Sequence, residues 1–179
     1  IARPLAAPGA RTALASNGGA TPLYIAAENG HDAVVRALLD AGADKDLAMN
    51  DGATPLLVAA MIGHGAVVRV LLDAGAETDR AEKKGGFTPL HVAAQKGHDA
   101  VVRTLLDAGA NKDTTDKNGA TPLFVAAQNG HGAIARMLLD AGADTDLAMF
   151  VARRPPRAAA VSGPAVFGPA LLDAGADKD

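Results

Sequence analysis

One phrase recurs through most of the chain. Thr88 to Ala110 reads T-P-L-H-V-A-A-Q-K-G-H-D-A-V-V-R-T-L-L-D-A-G-A, and close copies begin at Thr21, Thr54 and Thr121, so the phrase returns after 33, 34 and 33 residues. A fixed period of this length means one supersecondary unit used repeatedly, each copy burying its apolar side against the next. Most single-core folds are excluded on that ground alone.

The residues of the phrase describe two short helices. Thr88 before Pro89 predicts a helix start, because the hydroxyl can accept a free backbone N–H and proline fits the first helical position, where no donor is needed. Leu90, Val92, Ala93 and Ala94 supply an apolar helix of about two turns. Gly97 is placed to close it in the left-handed conformation, as are Gly30, Gly63 and Gly130 in the sister copies. After His98, the spacing of Val101, Val102, Leu105 and Leu106 gives a second helix one broad apolar face, and Gly109 ends it. Asp99 stands four residues ahead of Arg103, the favourable order for an ion pair worth ~0.3 kcal/mol. Helices shorter than roughly 12 to 15 residues are marginal alone in water, so stacking must hold them. The alanine pairs Ala26/Ala27, Ala59/Ala60, Ala93/Ala94 and Ala126/Ala127 let neighbours approach closely. With four Phe, one Tyr and no Trp, the core is aliphatic.

A period near 33 carrying T-P-L-H, G-H and L-L-x-A-G-A at constant offsets resembles the ankyrin repeat. The resemblance implies an all-α fold, an α-solenoid of helix-turn-helix units joined by hairpin-like finger loops. Four full repeats are expected over residues 21–149, divided as 21–53, 54–87, 88–120 and 121–149. Residues 1–20 read as a partial, degenerate repeat, since Leu5, Gly9, Ala10 and Leu14 precede Leu38, Gly42, Ala43 and Leu47 by 33 positions while Pro4 and Pro8 interrupt its helix. Residues 150–179 read as a degenerate fifth repeat: Leu171 to Ala176 keeps the frame, but Arg154-Pro155-Pro156 replaces T-P-L, and Pro164 and Pro169 fall in the second helix. The connector from Ala81 to Phe87 has one extra residue, expected at its tip among Lys83, Lys84, Gly85 and Gly86.

Several residues invite chemistry. His31, His64, His98 and His131 recur at the repeat period, which separates them by roughly 10 Å, so they form a ladder rather than a metal cage, with ring nitrogens expected on neighbouring loop backbone. His91 has no Ser or Cys nucleophile placed beside it by a recognisable motif. The resemblance implies that it bonds the Thr of its own motif and nearby backbone, ties weakened in the repeats where Tyr24, Leu57 and Phe124 stand instead. Asp44/Asp46 and Asp144/Asp146 lack the central Gly and closing Glu of a calcium loop and read as solvated loop acids. No phosphate-binding glycine motif is present. Arg36, Arg69, Arg103 and Arg136 with Asp40, Asp73, Asp107 and Asp140 describe a solvated outer face.

A net charge of -3 lacks the basic stripe of a nucleic-acid binder. No apolar run approaches the ~20 residues of a bilayer span, so no membrane insertion is expected. Cysteine is absent, which excludes disulfides and thiolate metal sites. Ile1 begins the sequence with neither Met nor a signal-peptide pattern, as a fragment would.

By resemblance, the function is protein–protein interaction through a concave surface of finger tips and inward helix faces, without catalysis, cofactor or metal, in an intracellular, cytoplasmic setting. The alternatives are a regulatory array cut from a larger enzyme or channel, and a non-functional duplicated tract. The partner is another protein. The positions carried over onto this chain are Met61, Ile62, Lys84, Phe87, Gln95, Lys96, Gln128 and Asn129, with tip residues such as Asn50, Asp51, Lys117 and Asn118. Met61, Ile62 and Phe87 are large and apolar where other repeats carry Glu, Asn, Gln, Lys or Ala. Grouped, they would make an apolar patch rimmed by Lys84 and Lys96; equally, Phe87 would fold back on its loop and Ile62 would cap a gap in the core. No polar cap is evident at either end, so weak self-association through uncapped ends is a further expectation.

Overall fold

The computed structural model describes residues 18–147. The expected fifth repeat over 150–179, and all but the last three residues of the partial repeat over 1–20, lie outside the described residues.

Eight helices pair up within the described residues, α1 (Pro22–Glu28), α2 (Asp32–Asp40), α3 (Pro55–Ile62), α4 (Gly65–Asp73), α5 (Pro89–Lys96), α6 (Asp99–Asp107), α7 (Pro122–Gln128) and α8 (Gly132–Asp140), and residues 145–147 are helical as well. Each odd-numbered helix starts as its sequence dictates. The hydroxyls of Thr21, Thr54, Thr88 and Thr121 accept from the backbone N–H groups of Tyr24, Leu57, His91 and Phe124 at 3.1, 3.1, 3.4 and 3.2 Å, with proline in the first turn. Gly63 and Gly97 cap α3 and α5 directly in the left-handed region. In α1 and α7 the cap falls one residue earlier, on Asn29 and Asn129, and Gly30 and Gly130 make the left-handed turn that follows.

The helix pairs stack into an α-solenoid of two layers. Each odd-numbered helix packs on the next odd-numbered one and each even-numbered helix on the next even-numbered one, in addition to the pairing within each hairpin. Between the layers lie Leu23, Leu56, Leu90 and Leu123 from the inner helices, and Val35, Val68, Val102, Leu71, Leu105 and Leu138 from the outer ones, all essentially without solvent exposure. Each such side chain contributes about 1.5 to 3 kcal/mol over leaving it in water. The alanine pairs are buried between adjacent inner helices, where larger side chains would force the layer apart.

Two local expectations change. Arg103 does not pair with Asp99; its guanidinium points along the stack to Sδ of Met137 in α8, 3.7 Å away. An exposed pair on one helix is weak enough for a contact with the next hairpin to displace it. The recurring histidines do form a ladder, and its rungs are specific. His64, His98 and His131 each use Nε2 to reach the carbonyl of Glu28, Met61 and Gln95 in the preceding inner helix, at 3.0, 3.1 and 3.1 Å.

The ladder gives glycine a second reason to follow each inner helix. At Gly63, φ is 94°, and a Cβ there would lie 2.7 Å from the His98 ring. At Gly130, φ is 75°, and no atom among the described residues would come within 4 Å of such a Cβ. Gly130→Ala is expected to cost about 1 kcal/mol from left-handed strain alone. Gly63→Ala should cost about 1 kcal/mol more, as His98 is pushed off the Met61 carbonyl. Urea unfolding followed by circular dichroism measures both, and equal costs would show that the ring contact carries nothing.

Candidate functional site

The connectors between helix pairs fold into fingers that lead into the inner helices. Backbone bonds close them at the base: Met49 N–H to Ala53 O (2.9 Å), Glu82 N–H to Phe87 O (3.1 Å) and Asp116 N–H to Ala120 O (2.9 Å). Neighbouring fingers are tied edge to edge by Asn50 N–H to Gly18 O, Lys83 N–H to Asp51 O and Lys117 N–H to Gly85 O, at 3.1, 2.7 and 2.8 Å. In this register Lys83 and Gly85 hold the equivalent places on either side of the tip, which makes Lys84 the extra residue.

Each finger has an acid turned into its own backbone. The Asp51 carboxylate accepts from Ala53 N–H at 2.9 Å. Asp116 accepts from Asn118 and Ala120 at 2.7 and 2.8 Å. In the longer finger a longer acid does the same work, with Glu82 accepting from Lys84 (2.6 Å), Gly85 and Phe87 (3.2 Å). Burial pushes the Glu82 carboxyl upward, but the N–H groups of Phe87, Lys84, Gly85 and Gly86 outweigh it and hold the group below its ordinary range.

The lysines are treated differently. Lys83 Nζ donates to Asn50 O at 3.2 Å, and Lys117 Nζ donates to Lys83 O, so each crosses to the preceding finger. Lys84 and Lys96 are exposed, and among the described residues their ammonium groups meet no carboxylate.

Met61 and Ile62, at the end of α3, are 37% and 42% exposed, unlike the buried run from Pro55 to Ala60 before them. Phe87 is half-buried: its ring lies over Gly85, where a Cβ would meet it at 2.4 Å, and it approaches His91 edge-on with centroids 6.1 Å apart. It thus lies against its own loop and the start of α5, while Met61 and Ile62 present their side chains to solvent. Gln95 is half-buried, and its carbonyl takes the His131 rung. Gln128 and Asn129 are exposed at the end of α7, and the Asn129 amide turns back to Val125 O at 2.7 Å.

His91 is fully buried, with both ring nitrogens occupied. Nε2 donates to Ala120 O at 3.0 Å, while Nδ1 faces the Thr88 N–H at 3.3 Å and the Thr88 hydroxyl at 2.8 Å. The ring is therefore neutral and structural. Asp46, Asp79 and Asp113 are more than solvated loop acids: their carboxylates accept the backbone N–H of Glu77, Asn111 and Asp144, one repeat further on, at 2.9, 2.9 and 2.8 Å. The signal for this second ladder was present in the sequence, in an aspartate returning after 33 and 34 residues. Among the described residues no group of His, Asp and Glu could hold a metal ion, and no helix is long and apolar enough to cross a membrane.

Burial pushes His91 below its ordinary value of 6.5, more than the Ala120 and Thr114 carbonyls and the Asp116 charge raise it. The folded chain then binds this proton less readily than the unfolded chain, so the stabilisation is complete above that value and is lost as the pH falls below it. His91→Leu, the residue type found at Leu57, should flatten the decline in unfolding free energy between neutral and mildly acidic pH. Parallel decline in both proteins, followed by denaturant titration, would show that other groups carry it.

A family model for ankyrin repeats (3 copies) matches residues 2–82 and again 79–149. No curated protein matches the sequence.

Proposed function

Because the chain belongs to the ankyrin-repeat family, we propose that it is a protein-docking module without catalysis of its own, working in an intracellular, cytoplasmic setting. We assign its repeats to 21–53, 54–87, 88–120 and 121–149, with degenerate copies over 1–20 and 150–179. Ankyrin repeats are in general protein-interaction modules, and the repeat shape alone names no partner. The observation that carries the reading is the exposure of Met61 and Ile62 at the end of an otherwise buried helix, with Lys96 exposed at the end of the neighbouring α5. Exposed aliphatic side chains with a charged rim are the anatomy of a docking centre. Gln95, Gln128 and Asn129 extend the surface, while Phe87 lies against its own loop and the start of α5. Met61→Ala/Ile62→Ala should keep its helicity and change stability by about 0.5 kcal/mol or less, as for exposed sites, while affinity capture of protein partners falls at least about tenfold. Undiminished capture would remove the patch from the docking surface.

A second reading, weak self-association, rests on α1 and α2. Ile25 and Val34 are 46% and 49% exposed, whereas their equivalents one repeat on, Val58 and Val67, have no exposure. The degenerate copy assigned to 1–20 precedes this face in the array, so a second chain would compete with it for the same apolar burial. Sedimentation equilibrium should show concentration-dependent association that Ile25→Glu/Val34→Glu abolishes; a monomer at every concentration would refute it.

A further inference from the structure

The charges on this surface are sorted in a way that sequence order does not suggest. Every ion pair among the described residues, Lys45–Asp46, Arg80–Glu77 and Lys112–Asp113, lies where a finger leaves its outer helix. Along the finger row the acids turn to backbone rather than to lysine. Asp51, Glu82 and Asp116 each aim a carboxylate at backbone N–H groups of their own loop, and Asp116 is buried. The lysines remain outside. Lys83 and Lys117 donate only to carbonyls, and Lys84 and Lys96 meet no acceptor at all among the described residues. Lys83, Lys84, Lys96 and Lys117 thus make no ion pair among the described residues, and Lys96 ends the helix packed beside the one that carries the exposed Met61 and Ile62.

Position along the inner layer sets their spacing. Lys83, Lys84 and Lys117 border the ends where the inner helices begin. Met61, Ile62 and Lys96 lie where α3 and α5 finish. Eight residues of helix separate these margins by about 12 Å, the reach of about four residues of extended chain. On the other side of α3, its neighbour α1 finishes in Glu28, of opposite sign.

Starting from the docking reading above, we propose that the groove over α3 and α5 takes an acidic, partly aliphatic peptide segment, with carboxylates facing the finger lysines and aliphatic side chains on Met61 and Ile62. A partner whose carboxylates reach Lys84 and Lys96 gains ion pairs that these two side chains do not make among the described residues, and a basic partner gains none there. The aliphatic pair at the same margin as Lys96 favours a peptide over a polyanion such as DNA, whose phosphates would leave Met61 and Ile62 without contact.

The test is selection from a random 12-residue peptide phage library against the whole immobilised chain, with the best peptides then synthesised and measured by fluorescence anisotropy. Enriched peptides should be net acidic with aliphatic residues, should weaken about threefold to tenfold for each of Lys84→Glu and Lys96→Glu, and should bind less tightly as salt is raised. Selection against the Lys84→Glu/Lys96→Glu chain, checked for native circular dichroism, should turn toward basic peptides. Neutral or basic peptides that are lost on Met61→Ala/Ile62→Ala would overturn the acidic occupant and leave the docking reading standing. A library yielding no peptide, or only peptides indifferent to all four substitutions, would overturn both. Tighter binding of duplex DNA or phosphatidylserine vesicles through the same lysines would overturn the peptide assignment.

Discussion

Seven to nine residues is too short for a helix to persist in water, and each of α1 to α8 has that length. What holds the molecule together is therefore apolar burial between one hairpin and the next, through Leu56, Leu71, Leu90 and Leu105 and the small alanine contacts that let the inner helices touch. Each hairpin is folded because it has neighbours. Stability in such an array is close to a sum of unit terms and nearest-neighbour terms, so surface features on one unit can change without consulting distant ones.

Hydrogen-bonded ladders fix the register that apolar burial leaves loose. Hydrophobic contact is not directional, and two smooth helical layers could slide. The histidine rungs to Glu28, Met61 and Gln95 set the offset between an outer-helix start and the preceding inner-helix end. The aspartates Asp46, Asp79 and Asp113 set it again at the finger bases, and the finger edges set it a third time. Three sets of polar contacts, on different parts of the cross-section, leave one way for consecutive pairs to sit.

Much of this was legible because it depends on neighbours in sequence. Thr-Pro starts, left-handed glycines and the Val/Leu face of the outer helices follow from local chemistry and periodicity, and they stand where the sequence places them. What stayed hidden depends on atoms one period away. Arg103 reaches Met137 and Lys117 reaches Lys83; no local rule distinguishes these from solvated surface charges. Phe87 was ambiguous for a related reason. Whether an aromatic beside two glycines projects or folds down depends on the room above Gly85 and on the ring of His91, neither of which composition reveals.

The added residue at Lys84 carries a wider consequence. Edge bonds before and after it, from Lys83 to Asp51 and from Lys117 to Gly85, resume the common register, and the replacement of a shorter acid by Glu82 bridges the larger span. A change in chain length is thus absorbed within a single loop, and the helices on either side do not register it. Such a scaffold can lengthen one fingertip at a time and so try new contours against the outside world, while its interior goes on as before.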